Sequence, residues 1–480
     1  MKNTMKSTLW RYGLLILFSS FLFYQQGFGI NSLLFTALLL LILLIKHSQP
    51  IKAKGYLWFF ISGMVLSSIA IIIFHSTIAI LSLSAFTLLL VASLNLNSQS
   101  VFVLLANSLY SVLVTPLIWI TDKLFSTATS LDPGDVKANK SQQLAVLRVS
   151  AVAIPLVGAV IFILLYATAN PLFSNAFNWI SWDWISFTFW LGVLLAGICF
   201  YHPLNQMNRW QAQQGNTISR KRKLLTDTHP LALKFELKTA VTLLILLNIL
   251  LLAFNGADLQ YLLKGITQDP EFSHADFVHQ GVYTLIISIV LAISILLYYF
   301  RGNMNFYKNH LTLKRLAYVW IAQNLLLAAS ITYKNLIYIQ EFSLTYKRIG
   351  VFVYIILVVA GLLTTYVKVK NKKTTWYLLN INSWVALALL LISSFIPWDS
   401  WITRYNLSKS ENPDINYLIQ LSDANIPQLL PLRQNPYLAE ATQIALNQKI
   451  SSFEEREENR GWLSWNYQDY LTLKALECDE

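Results

Sequence analysis

The chain has 480 residues, of which only 12% are charged and 55% are apolar. Soluble domains carry about a quarter charged residues, so this composition excludes a string of soluble domains. The net charge of +12 does not point to nucleic acid, because the basic residues stand in short clusters between long apolar stretches, as cytoplasmic loops do under the positive-inside rule.

Taken in chain order, apolar stretches fall at 9–24, 29–45, 56–74, 76–94, 100–120, 147–169, 184–201, 237–255, 281–300, 316–334, 349–367 and 376–396. A helix needs about 20 apolar residues to cross a bilayer core. The pattern predicts an all-α fold, a polytopic transmembrane helix bundle of about 12 spans (11–13), followed by a small helical C-terminal tail. Lys2, Lys6 and Arg11 precede the first stretch and no A-x-A-like site follows it, so it reads as an uncleaved span rather than a signal peptide. Trp179, Trp182, Trp184, Tyr298, Tyr299, Trp376 and Trp398 sit near span ends, where Trp and Tyr form interfacial belts. Cys199 and Cys478 suggest neither a disulfide framework nor a zinc site.

A turn signal, Asp132-Pro133-Gly134-Asp135, marks 121–146 as a linker. It divides an N-terminal membrane bundle, 1–120 with about five spans, from a C-terminal one, 147–398 with about seven. The aromatic stretch from Pro171 to Asp183 is expected along the outer interface, and Pro116, Pro155 and Gly158 are places for kinks or close packing. No internal repeat supports an inverted-repeat transporter.

Basic clusters orient the C-terminal half. Loops 202–236, 301–315 and 368–375 carry Arg209, Arg220, Lys221, Arg222, Lys223 and Lys234, then Arg301, Lys308, Lys314 and Arg315, then Lys368, Lys370, Lys372 and Lys373. All belong inside, and the acidic 256–280 connection belongs outside. Alternation then puts the tail outside. The first 120 residues conflict with this scheme. Five spans before an inside 121–146 loop put the N-terminus outside, yet Lys2, Lys6, Arg11, Lys46, Lys52 and Lys54 read as inside. A re-entrant or interfacial segment among the five, or one span too many in the count, would resolve the conflict, with the short pair around Gln25-Gln26-Gly27-Phe28-Gly29 as one suspect.

The tail, 399–480, holds 13 acidic residues against seven basic ones. Ser422 or Asp423 is placed to cap a short helix over Ile426 to Leu430, with Pro427 in its first turn. Longer helices are expected at 437–460 and 464–476, with Glu454 to Glu458 as a solvated face. Trp462, Trp465, Tyr467 and Tyr470 are expected to dock the tail on itself or on the membrane. So few apolar anchors make a small appendage rather than a catalytic domain.

Polar residues within and beside spans are the default functional candidates. A polar outer mouth is expected from Asp276, His279, Tyr283, Lys334, Glu341, Lys347 and Arg348, with Lys347 or Arg348 pairing with Asp276 or Glu341. The plainer alternative is that these side chains snorkel into headgroups. Asn248, Gln323, Asn324, Asn380 and Asn382 lie inside spans, where amides mostly hydrogen-bond neighbouring helices and otherwise line a substrate path. His274, Asp276 and His279 are poorly spaced for a metal, because five residues turn two helical side chains about 140° apart. Neither a catalytic motif, a metal site nor a cofactor site is recognisable.

Several strings are familiar as a group: Phe277-Val278-His279-Gln280-Gly281-Val282-Tyr283, Phe300-Arg301-Gly302-Asn303, Leu313 to Asn324, and Leu344-Thr345-Tyr346-Lys347-Arg348-Ile349-Gly350. Pro397-Trp398-Asp399, Arg404-Tyr405-Asn406 and Trp465-Asn466 add to them. Together they resemble multi-pass membrane proteins of the domain-of-unknown-function 4153/4173 type, common in Bacteroidetes-like bacteria. Relatives often have Glu where this chain has Gln280. The resemblance implies a bacterial inner-membrane location. It supplies no activity, and it directs attention to His279, Arg301, Gln323, Asn324, Lys347 and Arg348.

Three functions remain open on the sequence. A transporter or channel-like protein would place its path in the 237–367 bundle. An envelope signalling or assembly component would use the tail as its binding surface for an envelope protein. An intramembrane enzyme on a lipid-linked substrate ranks last. The lipid bilayer is the one partner that the sequence itself demands.

Overall fold

In the computed structural model the described residues are 18–53, 55–95, 100–109, 230–264, 289–300, 310–409, 413–436 and 438–478. Among them every regular element is a helix. The membrane part contains α1 (Ile30–Ala53), α2 (Tyr56–Phe74), α3 (Thr77–Asn95), α4 (Pro230–Lys264), α5 (Leu311–Phe342), α6 (Tyr346–Asn371) and α7 (Thr375–Ser394). Shorter helical stretches lie at 18–23, 101–109 and Ile289–Tyr299. Among the described residues six stretches are long and apolar enough to cross a membrane: Tyr56–Phe74, Thr77–Leu94, Glu236–Gly256, Leu311–Phe342, Tyr346–Asn371 and Thr375–Ser394. The spans expected at 147–169 and 184–201 lie outside the described residues, as do the 121–146 linker and the Pro171 to Asp183 stretch.

Helices dominate because lipid offers no partner to a backbone N–H or C=O, so each segment must satisfy its own. Side-chain hydroxyls follow the same rule. Ser67 donates to the Gly63 carbonyl and lies 2.8 Å from the Ser82 hydroxyl across the α2–α3 contact. Thr364 and Thr365 bond back to Ala360 and Gly361 in α6.

Two apolar cores organise the membrane part. One joins Phe35, Leu39, Phe60, Met64, Phe86 and Leu89 from the N-terminal helices with Leu387 of α7. The other joins Leu244, Ile289, Leu296, Ala317, Trp320 and Leu362. Helix α7 is therefore shared between the N-terminal helices and the later ones. Its Trp384 stacks on Phe60 with centroids 5.6 Å apart and planes 6° apart, and its Asn382 donates to Thr364 of α6 at 3.1 Å.

Side-chain pairs fix the directions of the helices. Phe60 meets Trp384 and Phe74 meets Phe395, so α2 and α7 run parallel. Asn248 reaches the Leu316 carbonyl and Asn255 the Gln323 carbonyl, so α4 and α5 also run parallel. All four start at one end of the bundle. Lys314, Arg315, Lys368, Lys370, Lys372 and Lys373 belong to that end, where Lys314 donates to the Lys370 carbonyl at 3.4 Å. The opposite end receives the tail.

The stretch at Gln25–Gly29 is a turn between helices, with Gln25 left-handed at φ 53°. Asn31 ties it by accepting from Gly29 N–H and donating to the Leu22 and Gly27 carbonyls. Helix α1 then leaves the tail end and carries Lys46 and Lys52 towards the lysine-rich end. The N-terminal and C-terminal basic clusters so far described share one end. Val101, which starts the 101–109 stretch, donates its N–H to Asn380 near the start of α7. Residues 101 and 230 thus both set out from the lysine-rich end. The three spans expected from 100 to 201 are an odd number, which does not fit two points at one end. The charge conflict moves from the Gln25–Gly29 turn to 110–229, outside the described residues.

The tail forms a cap of short helices: α8 (Trp398–Lys409), α9 (Ile415–Ile419), α10 (Ile426–Leu429), α11 (Glu440–Glu458) and α12 (Tyr467–Glu477). Its core of Ile402, Leu418, Ile426, Leu429, Leu446, Ile450 and Phe453 continues into Ile339, Leu344 and Ile349 of the membrane helices. One capping expectation is corrected. Asn425, not Ser422 or Asp423, stands before α10, with Pro427 in its first turn. Ser422 precedes the 3-10 turn Asp423–Asn425 without a capping bond, because its hydroxyl goes to the Asp399 carboxylate at 2.5 Å.

At Gly63 a Cβ would run into the ring of Phe86, which is fully buried between α2 and α3. Gly63→Ala should therefore destabilise the protein by about 1–3 kcal/mol through overpacking, read as a lower midpoint of thermal unfolding in detergent. An unchanged midpoint would contradict the packing described.

Candidate functional site

Of the seven residues expected at a polar outer mouth, four are among the described ones: Lys334, Glu341, Lys347 and Arg348. Asp276, His279 and Tyr283 lie outside the described residues. Glu341 and Lys347 are exposed, and Lys334 is half-buried. Arg348 is buried, and its partners among the described residues include a tyrosine ring and carbonyl oxygens. Its guanidinium lies 4.2 Å from the Tyr338 ring centroid, and Nη1 donates to the Phe342 and Ser343 carbonyls. Asn335 in turn donates to the Arg348 carbonyl at 3.1 Å. A helix leaves its last carbonyls unbonded and carries partial negative charge there. Arg348, at the start of α6, supplies the matching donors and charge for the end of α5.

The intramembrane amides mostly join helices. Gln323 Nε2 donates to Asn248 Oδ1 at 2.9 Å, while Asn248 Nδ2 bonds the Leu244 and Leu316 carbonyls. Asn380 accepts from Val101 N–H. Asn382 joins Thr364, and Asn324 bonds back to Trp320 in its own helix. Two amide oxygens, Gln323 Oε1 and Asn382 Oδ1, are buried with no hydrogen-bond partner.

Among the described residues, one dense cluster of charge was not singled out in the sequence. It lies where the cap meets the α2–α3 turn. His75 closes α2 in the left-handed region, φ 46°, with its N–H on the Ile71 carbonyl. Its Nδ1 lies 3.2 Å from Asp469 Oδ2. Arg460 bridges Asp469 at 2.6 Å and Glu457 at 2.8 Å. Asn466 caps α12 by accepting from Asp469 N–H, and donates to the same carboxylate at 2.6 Å. Burial alone would push the Asp469 carboxyl up. The hydrogen bond and charge of His75, the Asn466 amide and the Arg460 guanidinium outweigh it and hold the carboxyl well below the usual carboxylate range. Burial pushes Glu457 up, against the pull of Arg460. Nearly 400 residues of sequence separate His75 from its partner, and no local motif marks either.

Further ties stitch the cap to helix ends. Ile30 N–H, at the start of α1, donates to the Trp465 carbonyl at 3.1 Å. The Ser464 hydroxyl donates to Gln26 Oε1 at 2.7 Å. Gly29 is required beneath this seam, because a Cβ there would strike the Ser464 and Trp465 carbonyls. Asn406 accepts from Leu344 N–H and donates to the Leu344 carbonyl. Tyr346 N–H meets the Tyr417 hydroxyl at 3.1 Å, and the Tyr346 hydroxyl meets Asp399 at 2.8 Å. Within the cap, Lys449 donates to the Ile419, Leu421 and Ser422 carbonyls and to Asn425 Oδ1. Burial pulls its ammonium down to about 8, with Asp423 and Asp399 opposing. Among the described residues no three His, Cys, Asp or Glu side chains gather as a metal group.

A family model described as a domain of unknown function, DUF4153, matches residues 61–432. The chain belongs to this family. The match takes in α3 to α7, most of α2 and the first part of the cap, and ends before α11 and α12. No curated protein and no solved structure matches the chain.

Asp469→Asn should loosen the cap, because it strands Arg460 and His75 beside a neutral amide. Breaking one side of a buried pair costs ~3 kcal/mol, visible as faster proteolytic cleavage between α11 and α12. The pH sign follows from the depressed carboxyl. Its contribution is complete above the ordinary aspartate range and is lost only as pH falls through the lower folded-state value. Between pH 5 and 8 cleavage of the native cap should therefore show no step from Asp469. Equal cleavage of Asp469→Asn and the native chain would contradict the account.

Proposed function

We propose that the chain is an envelope scaffold, a multi-pass protein of a bacterial inner membrane whose capped outer end is a docking surface for another envelope protein. The observation that carries this reading is the cap itself. It has its own core, it is bonded to the ends of α1, α2, α5 and α6, and it leaves one face of α11 open. Leu446, Ile450 and Phe453 point into the core, while Ile444, Gln448, Ser452 and Glu455 are exposed. The excess of acidic residues in the tail suits a partner with basic side chains. The lysine-rich end supports the orientation, since Lys and Arg favour the cytoplasmic side. In this reading the cap faces outward.

A second reading, transport, has one specific observation in its favour. Buried oxygens without partners cost about 1–3 kcal/mol each, and Gln323 Oε1 and Asn382 Oδ1 are two such groups within the helices. Water or a polar solute reaching them would remove that cost.

A photoreactive residue at Ser452 separates the readings, with Leu326, exposed on α5, as the control. The scaffold reading expects a discrete protein adduct from Ser452 in living cells and none from Leu326. No adduct at Ser452, together with loss of complementation by Gln323→Leu and Asn382→Leu, would favour transport and sink the scaffold.

A further inference from the structure

We propose that one edge of the cap is a membrane-seated surface, in which α12 and the turn before it lie in the headgroup layer of the leaflet at the cap end. The inference is independent of the scaffold reading and of which leaflet is outer. It starts from a face. Tyr467, Tyr470, Leu471 and Lys474 follow the i, i+3, i+4, i+7 spacing of one helix side, and all four are exposed. The opposite side, Asp469, Thr472 and Leu476, is buried. Trp462 and Trp465 extend the exposed row across the preceding 3-10 turn, while Leu463 and Ser464 between them point inward. Trp462 is 68% exposed, Tyr470 47%, Tyr467 44% and Trp465 39%, so these rings are not filling the cap's core. Tyr470 lies 6.3 Å from Trp465 and 6.4 Å from Tyr467, making one aromatic strip.

The height of that strip is what assigns its partner. The Trp465 carbonyl takes the N–H of Ile30, the first residue of α1. Asp469 holds His75, the residue that ends α2. Ser464 holds Gln26 in the turn before α1. Three separate bonds therefore fix the strip at the plane where apolar helices begin and end. Phe21 and Tyr24, close in sequence to Gln26, are exposed as well, at the end of the 18–23 stretch and in its turn. Trp and Tyr prefer this level because a ring is satisfied by acyl carbon while its N–H or O–H reaches water or headgroups. Lys474, last in the row, is suited to a lipid phosphate, with its methylenes lying along the interface. The occupant is a phospholipid headgroup layer.

The test uses full-length protein in vesicles of phosphatidylethanolamine and phosphatidylglycerol. With Cys199 and Cys478 replaced by Ser, an environment-sensitive fluorophore is attached at Tyr467→Cys, at Leu471→Cys, or at Ser452→Cys on the exposed face of α11. Nitroxide lipids labelled at the headgroup and at a shallow acyl position should quench residues 467 and 471 severalfold more than residue 452. Aqueous iodide should show the reverse order. Equal lipid quenching at all three sites would overturn the proposal. So would shielding of 467 and 471 from both quenchers, the result expected if a protein covers the strip. If one substitution prevents folding, the other decides alone, since both lie on the same helix face.

Discussion

Helix ends are the constraint on which the rest of the structure depends. Inside lipid a helix satisfies its own backbone, but its first N–H groups and last carbonyls have no internal partner. At one end of this bundle those groups are met by protein. Trp465 accepts from the start of α1, Arg348 serves the end of α5, and Asn406 serves Leu344 in both directions. The Tyr417 hydroxyl meets the start of α6, and His75 brings Asp469 to the end of α2. The cap is what these unfinished ends require, and its apolar core is continuous with Ile339, Leu344 and Ile349 of the helices beneath.

Two features then bind the N-terminal helices to the later ones. In the membrane, α7 stacks Trp384 on Phe60 and gives Leu387 to the N-terminal core. At the end, the cap grips α1 and α2 through Ser464, Trp465 and Asp469, and α5 and α6 through Asn406 and Tyr417. Motion that separates the two groups at the cap end must break several buried bonds. At the lysine-rich end the Val101 N–H donates to Asn380 of α7, a further tie between the two groups.

Much of this was legible in the sequence for a simple reason: length and apolarity are local. The runs at 56–74, 76–94, 237–255, 316–334, 349–367 and 376–396 each lie in, or within a residue or two of, a described helix, and the tail stretches 437–460 and 464–476 overlap α11 and α12. Asn248 and Gln323 were also legible as cross-links, since an amide at that depth has few other uses. What sequence could not show were partners set by tertiary distance. Lys347 or Arg348 was expected to pair with Asp276 or Glu341, because charge is visible in a sequence; that Arg348 also serves carbonyls at the end of α5 is not visible there. His75 and Asp469 carry no motif and meet only when the tail folds back. Lys368 counts among loop cations in a charge tally, yet the structure buries it completely. The conflict over the first spans arose because counting crossings accumulates every error before it, while a single contact such as Val101 to Asn380 restarts the count.

The central claim is that the tail is folded onto the membrane helices as one body with them. A disulfide between positions 27 and 464 tests it most directly. A Cβ built at Gly27 lies 3.8 Å from that of Ser464, the mean spacing across a disulfide of about 3.8 Å. In membranes, with Cys199 and Cys478 replaced by Ser, Gly27→Cys with Ser464→Cys should cross-link under mild oxidation. A protease cut placed between α7 and α11 would then leave the two fragments joined until reductant is added. Fragments that separate without reductant would show that the tail does not rest on the helix ends.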